Sequence, residues 1–181
     1  MSGDARVLGV DPGSRITGWG VVDFVRGRAR HVASGCVATP AGEFPARLLR
    51  IHQAIGEVVD THGPSELAIE RVFVHRNVDS ALKLGQARGV ALVAAASRGL
   101  EVFEYMPNEI KQAVTGRGHA GKEQIQHMVR VLLALTVSPA VDEADALAVA
   151  LCHGHRRETG ARLAAGASTG AAPLVLRRRR R

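Results

Sequence analysis

The stretch ELAIERVF, residues 66–73, constrains the fold of this chain more than any other. Leu67, Ile69, Val72 and Phe73 are apolar and Ala68 is small, the pattern of a short buried strand. It stands between two long helical patterns. Upstream, Ala46 to His62 sets Leu48, Leu49, Ile51, Ile55, Val58 and Val59 at helical spacing, and Gly63-Pro64 stops the run. Downstream, Ser80 to Arg98 is a long helix rich in Ala, Leu and Val, closed by Gly99. Gly85 and Gly89, four apart within it, suit close packing against another element.

The remaining elements set the kind of sheet. RVLGV (6–10), GWGVVDFV (18–25) and HVASGCVAT (31–39) read as three strands in an antiparallel meander. EVFEYM (101–106) is a fifth strand, and residues 107–117 are a short helix with proline at its start. Residues 122–135 and 142–155 are two more helices. The expected class is therefore α/β: a five-stranded mixed sheet, three antiparallel strands then parallel additions, flanked by helices.

Net charge misleads until it is located. The chain of 181 residues carries +7, but eight of its 24 Lys and Arg and only one of its 17 acids lie beyond residue 155. Residues 1–155 are therefore balanced, and any affinity for a polyanion must come from local patches. We expect one domain over 1–155 and a disordered, low-complexity, arginine-rich tail over 156–181. Cys36 and Cys152 lack metal-ligand spacing and read as free thiols of a reducing compartment. With no membrane-spanning run and no signal peptide, a cytoplasmic location is expected.

Four carboxylates stand out by position. Asp11 ends the first strand, directly before Pro12-Gly13; Glu70 lies inside the fourth; Asp142 and Asp145 open the last helix. Their three-residue spacing puts Asp142 and Asp145 on one helical face. If strands one and four are neighbours, Asp11 and Glu70 lie side by side, and a helix over that edge brings the other two to the same point. Four carboxylates in a small volume raise one another's pKa unless a cation neutralises them. Carboxylate ligands without clustered His or Cys suit Mg²⁺ or Mn²⁺ rather than zinc. Two such ions clamp an in-line phosphodiester displacement. Singly, Asp142 or Asp145 also reads as a helix cap and Asp11 as a turn residue. Glu70 is harder to explain so, because Arg71 beside it points to the opposite face of a strand.

Six segments in order, GVDPGSRITGWGVV, AIERVF, NVDSALKLGQARGV, VFEYMPNEIKQAVTG, GKEQIQHMVRVLL and DEADALAVALCH, resemble the RuvC family of Holliday-junction resolvases, of the RNase H-like superfamily. They span nearly all of residues 6–153. The resemblance implies an RNase H-like fold and a structure-selective endodeoxyribonuclease that resolves four-way DNA junctions by paired symmetric nicks. It places the acidic catalytic residues, ligands of two divalent ions per site, on Asp11, Glu70, Asp142 and Asp145. Phe73 falls where the family has an aromatic residue that stacks on bases near the crossover, although core packing is the plain alternative.

Lys111 and Lys122 fall on family lysines that contact backbone phosphate. They are two of only three lysines beside 21 arginines in this chain. Arg76, in the loop after the catalytic strand, is a further expected phosphate contact, and Arg117 and His119 are expected on the same surface. The resemblance also implies a homodimer, with the 80–98 helix contributing to the interface, and the branch-migration partners RuvA and RuvB. Three rival readings remain: an actin-like or sugar-kinase-like ATPase, which also opens on an Asp-X-Gly turn; a DNA-binding scaffold without activity; and an RNase H-like nuclease of another substrate.

Overall fold

A computed structural model describes residues 4–39, 42–72 and 77–169. The elements run β1 (Ala5–Asp11), β2 (Ile16–Val25), β3 (Arg28–Ala38), α1 (Phe44–His62), β4 (Glu66–Glu70), α2 (Val78–Ala96), β5 (Glu101–Tyr105), α3 (Pro107–Thr115), α4 (Lys122–Leu132) and α5 (Val141–Thr169). One five-stranded sheet has the order β3-β2-β1-β4-β5. β1, β2 and β3 pair antiparallel, while β4 joins β1, and β5 joins β4, in parallel. The expected mixed sheet is the one observed.

Strand alternation divides the core. Val7 of β1 and Ala68 of β4 pack with α3, α4 and α5 on one face of the sheet. Leu8 and Val10 of β1 and Leu67 and Ile69 of β4 pack with α1 and α2 on the other. β1 and β4 are therefore buried on both sides, as a parallel pair at the centre of the sheet requires. By the same alternation Gly9 and Asp11 of β1, and Glu66 and Glu70 of β4, face α5.

Most element ends fall within about three residues of the sequence reading, and two differences bear on the site and the tail. The last helix does not stop at His155 but continues to Thr169, into the stretch expected to be a disordered tail. Its extension is anchored: Arg157 pairs with buried Glu66, Arg156 with Glu109, and Glu158 with Arg162 one turn on. Alanines at 161, 164 and 165 also favour helix. Residues 170–181, with the five terminal arginines, lie outside the described residues. The fourth strand ends at Glu70 rather than Phe73. Phe73 and Arg76 also lie outside the described residues.

Both cysteines are free, Cys36 exposed and Cys152 buried. Among the described residues no helix is long and apolar enough to cross a membrane.

Candidate active site

The site begins with two strand ends. The β1–β4 ladder is registered through Val10 opposite Ile69, so Asp11 and Glu70, the next residue of each strand, stand side by side facing α5. Asp11 is also opposite Gly18 on the antiparallel side. Glycines then let α5 descend onto the sheet. A Cβ at Gly9 would lie 2.2 Å from the Ala146 carbonyl oxygen, and one at Gly18 would lie 1.9 Å from the Asp142 carbonyl oxygen. One at Gly20 would stand 2.5 Å from the Leu147 side chain. Only a missing side chain permits so close a backbone approach. The start of α5 thus rests on β1 and β2, and Asp142 and Asp145 join Asp11 and Glu70 at the C-terminal ends of β1 and β4.

A second set of contacts fixes that first turn. The Glu143 carboxylate accepts the Ala140 N–H at 2.9 Å and the Ser34 hydroxyl at 2.6 Å. Ser34 Oγ is in turn 2.7 Å from His31 Nε2. This link from β3 to the start of α5 was missed in the sequence, where Ser34 and Glu143 lie 109 residues apart.

Burial and mutual repulsion act on the cluster together. The Asp11 carboxyl is pushed up to about 8, first by burial and then by the charges of Glu70, Asp145 and Asp142, with Lys122 opposing. Burial also raises Glu70 and Asp145; Asp145 adds to the rise at Glu70, and Asp142 to that at Asp145. Lys111 and Lys122 pull both the other way. Lys122 Nζ is 4.0 Å from Asp145 Oδ2 and largely exposed, so its pull is partly screened. Arg117 and His119 are exposed in the turn between α3 and α4.

A cleft of about 230 Å³ opens beside Asp11 and Glu70, lined also by Pro12, Arg71, Val72, Leu84 and Pro107. The donor set, four carboxylates of which Asp11, Glu70 and Asp145 have raised proton affinity, has the chemistry of a hard divalent cation site. Among the described residues no group of three or more His, Cys, Asp or Glu side chains is already spaced to hold an ion.

A family model described as crossover junction endodeoxyribonuclease RuvC matches residues 7–153, the span that contains all four carboxylates and both lysines. The chain belongs to the RuvC family. It is 56% identical over 158 residues to the RuvC of Alkalilimnicola ehrlichii, covering 87% of this chain and 96% of that one. To the RuvC of Aeromonas hydrophila it is 55% identical, covering 91% and 94%. The solved structure of T. thermophilus RuvC in complex with Holliday junction substrate superposes with a TM-score of 0.80 at 38% identity, covering 86% of this chain and 96% of that chain. The yeast mitochondrial Holliday junction resolvase Ydc2 shares the fold, with a TM-score of 0.68 at 9% identity over 92% of this chain and 85% of its own. As a member of the RuvC family, the chain is an endodeoxyribonuclease.

Arg71 lines the same cleft, but its guanidinium is paired with β5. Its Nε donates to Glu104 Oε2 at 3.1 Å, and its main-chain N–H donates to the Tyr105 carbonyl at 2.8 Å. A buried polar row also went unforeseen. The Tyr105 hydroxyl lies 2.6 Å from His153 Nδ1, His153 Nε2 lies 2.6 Å from Glu66 Oε2, and Arg157 pairs with the other Glu66 oxygen. The signal available in the sequence was Glu66 itself, a second acid on the same strand face as Glu70.

Proposed function

We propose that this chain resolves four-way DNA junctions, hydrolysing one phosphodiester bond per subunit at the centre formed by Asp11, Glu70, Asp142 and Asp145. The observation that carries this is the convergence of four carboxylates from β1, β4 and α5 at the C-terminal ends of two neighbouring strands, in a chain of the RuvC family. The 38%-identical T. thermophilus relative was solved with a Holliday junction substrate, which supports the same substrate here.

The four carboxylates would hold Mg²⁺, with Mn²⁺ as substitute, two ions to a site. When bound, such ions supply an activated water and charge stabilisation at the leaving oxygen. The protein's own part is to hold the carboxylates rigidly and to manage their protons. Asp11, pushed up to about 8, must give up its proton for the site to load. Lys122 and Lys111 favour the charged carboxylates and offer ammonium groups to the DNA backbone. Phe73 would stack on a base near the crossover and Arg76 would contact phosphate. Asp142 and Asp145, on a helix seated against glycines, cannot drift from Asp11 without lifting α5.

Paired symmetric nicking calls for two copies of the site, and α2 offers the surface for a homodimer. A Cβ on Gly85 or Gly89 would meet nothing, so neither glycine is required by packing within the described chain. Leu82, Val93 and Val78 are exposed on the same helix. A cleft of about 420 Å³ between α1 and α2 is lined by Leu48, Leu49, His52, Gln86, Gly89, Val90 and Val93. An isologous pair across this face would have the two-fold symmetry of a four-way junction. RuvA and RuvB as branch-migration partners and a cytoplasmic location complete the reading.

The test is a substrate panel. Four-way junction, Y-fork, linear duplex and RNA–DNA hybrid are incubated with wild type and Glu70→Gln in Mg²⁺ or in EDTA. The expected result is paired nicking of the four-way junction alone, needing metal and lost in Glu70→Gln, with junction binding kept in both. Normal junction cleavage by Glu70→Gln, or preference for another substrate, would overturn the proposal.

A further inference from the structure

The main-chain oxygen of Glu70 stands where the sheet runs out. The next N–H, that of Arg71, turns toward β5 and donates to Tyr105. Alternation then points the Glu70 carbonyl toward β1. On that side the residue after Asp11 is Pro12, which has no N–H to continue the parallel ladder. A shielded carbonyl needs a donor from elsewhere.

Arg88, in the middle of α2, supplies it. Its Nε donates to the Glu70 carbonyl at 3.0 Å, while a terminal nitrogen donates to Glu104 Oε1 at 2.5 Å. The other oxygen of Glu104 holds Arg71. Of the two guanidinium groups Arg88 is the shielded one, 17% exposed against 53% for Arg71. The two bonds go to acceptors on different strands, β4 and β5, which the fixed fork of a guanidinium can serve together and a single ammonium serves poorly. Glu104 is held below the usual carboxylate range by Arg88 first and Arg71 second, so it stays charged and keeps the fork in place.

We propose that Arg88 is a positioning residue for the nuclease reaction: by tying the Glu70 main chain to α2 it fixes the direction of the Glu70 carboxylate. The inference rests on Glu70 belonging to the catalytic cluster. It also joins the active site to the helix whose outward face we assign to the subunit interface.

Full-length Arg88→Ala, Arg88→Lys and Glu70→Gln are compared with wild type in four measurements: single-turnover junction cleavage, junction binding in EDTA, Mn²⁺ binding by electron paramagnetic resonance, and thermal midpoint. Loosening a reacting group by a fraction of an ångström to 1 Å slows chemistry by about 10- to 100-fold. Arg88→Ala is expected to show that loss together with weaker Mn²⁺ binding and unchanged junction affinity, and Arg88→Lys to fall between it and wild type. Wild-type cleavage and Mn²⁺ binding by Arg88→Ala would overturn the inference. So would a loss of cleavage matched by equal losses of junction binding and thermal midpoint, since Arg88 would then merely support the fold. Wild-type cleavage by Glu70→Gln would overturn instead the site assignment on which the inference rests.

Discussion

Gly18 of β2 and Asp142 of α5 meet backbone to backbone: a Cβ on Gly18 would stand 1.9 Å from the Asp142 carbonyl oxygen. No real Cβ tolerates that distance, and the obstacle is main chain rather than a flexible side-chain tip. The glycine therefore sets how deeply the helix that carries Asp142 and Asp145 can seat beside Asp11, its partner across the ladder.

Gly18→Ala should lift the first turn of α5. Overpacking of this kind costs about 1–3 kcal/mol of stability. Cleavage should fall further than stability explains, because the displaced turn holds two of the four carboxylates. Junction cleavage measured well below the thermal midpoint, beside junction binding in EDTA, checks this. Equal activity in Gly18→Ala and wild type would mean that helix depth does not govern the site.

Much of this arrangement was legible in the sequence, and the reason is local. Short apolar runs marked the strands, Gly63-Pro64 marked a helix end where Gly63 indeed adopts the left-handed conformation, and Asp11 and Glu70 stood out because one ends and the other interrupts an apolar run. What escaped depends on partners distant in the chain. The continuation of α5 past His155 is anchored by Arg157 on Glu66, 91 residues away. Arg71 finds its partner Glu104 only across a strand pairing. The glycines at 9, 18 and 20 did carry a local hint, since 18 and 20 repeat on one strand face, but what they admit is a helix more than a hundred residues later.

Val93→Glu combined with Leu82→Glu should separate the proposed dimer. Both side chains are exposed, 59% and 62%, so the monomer should lose little stability, within about 0.5 kcal/mol for each surface change. Sedimentation equilibrium should show half the wild-type mass. On a cruciform plasmid, the double variant should yield nicked circles where wild type yields linear product, because two cuts no longer occur within one complex. Linear product at the wild-type rate would argue against this face.

His153→Phe should damage the fold without touching the chemistry. It leaves the Tyr105 hydroxyl without its histidine and Glu66 with Arg157 alone, a loss of about 1–3 kcal/mol for buried groups left short of partners. Burial holds His153 below its ordinary range, with Glu66 opposing. The folded state thus binds fewer protons there than the unfolded one. The stability this gives is present above the usual histidine range and lost as pH falls through the lowered value. Chemical denaturation between pH 5 and 8 should therefore show a flatter acid limb in His153→Phe, with cleavage at low temperature unchanged. Loss of cleavage in the folded variant would instead place this row in the reaction.

Asp11 gives the opposite slope. Its carboxyl is pushed up to about 8 in the folded protein from an ordinary value near 4, so the folded state binds more protons across that interval. Without metal, the contribution of Asp11 to stability is full below about pH 4 and is lost as pH rises through about 8, at no more than about 1.4 kcal/mol per pH unit. Glu70 and Asp145, raised in the same direction, add to the slope. A divalent cation reverses the balance by taking the place of the protons, so it should bind more tightly as pH rises. The difference in thermal midpoint between Mg²⁺ and EDTA should grow from pH 6 to pH 8, and cleavage should rise with it. Lys122→Ala removes a charge that opposes the rise at Asp11, Glu70 and Asp145, and should shift both curves to higher pH. A midpoint difference that stays constant across this range, in wild type and Lys122→Ala alike, would mean that these carboxylates do not exchange protons for metal.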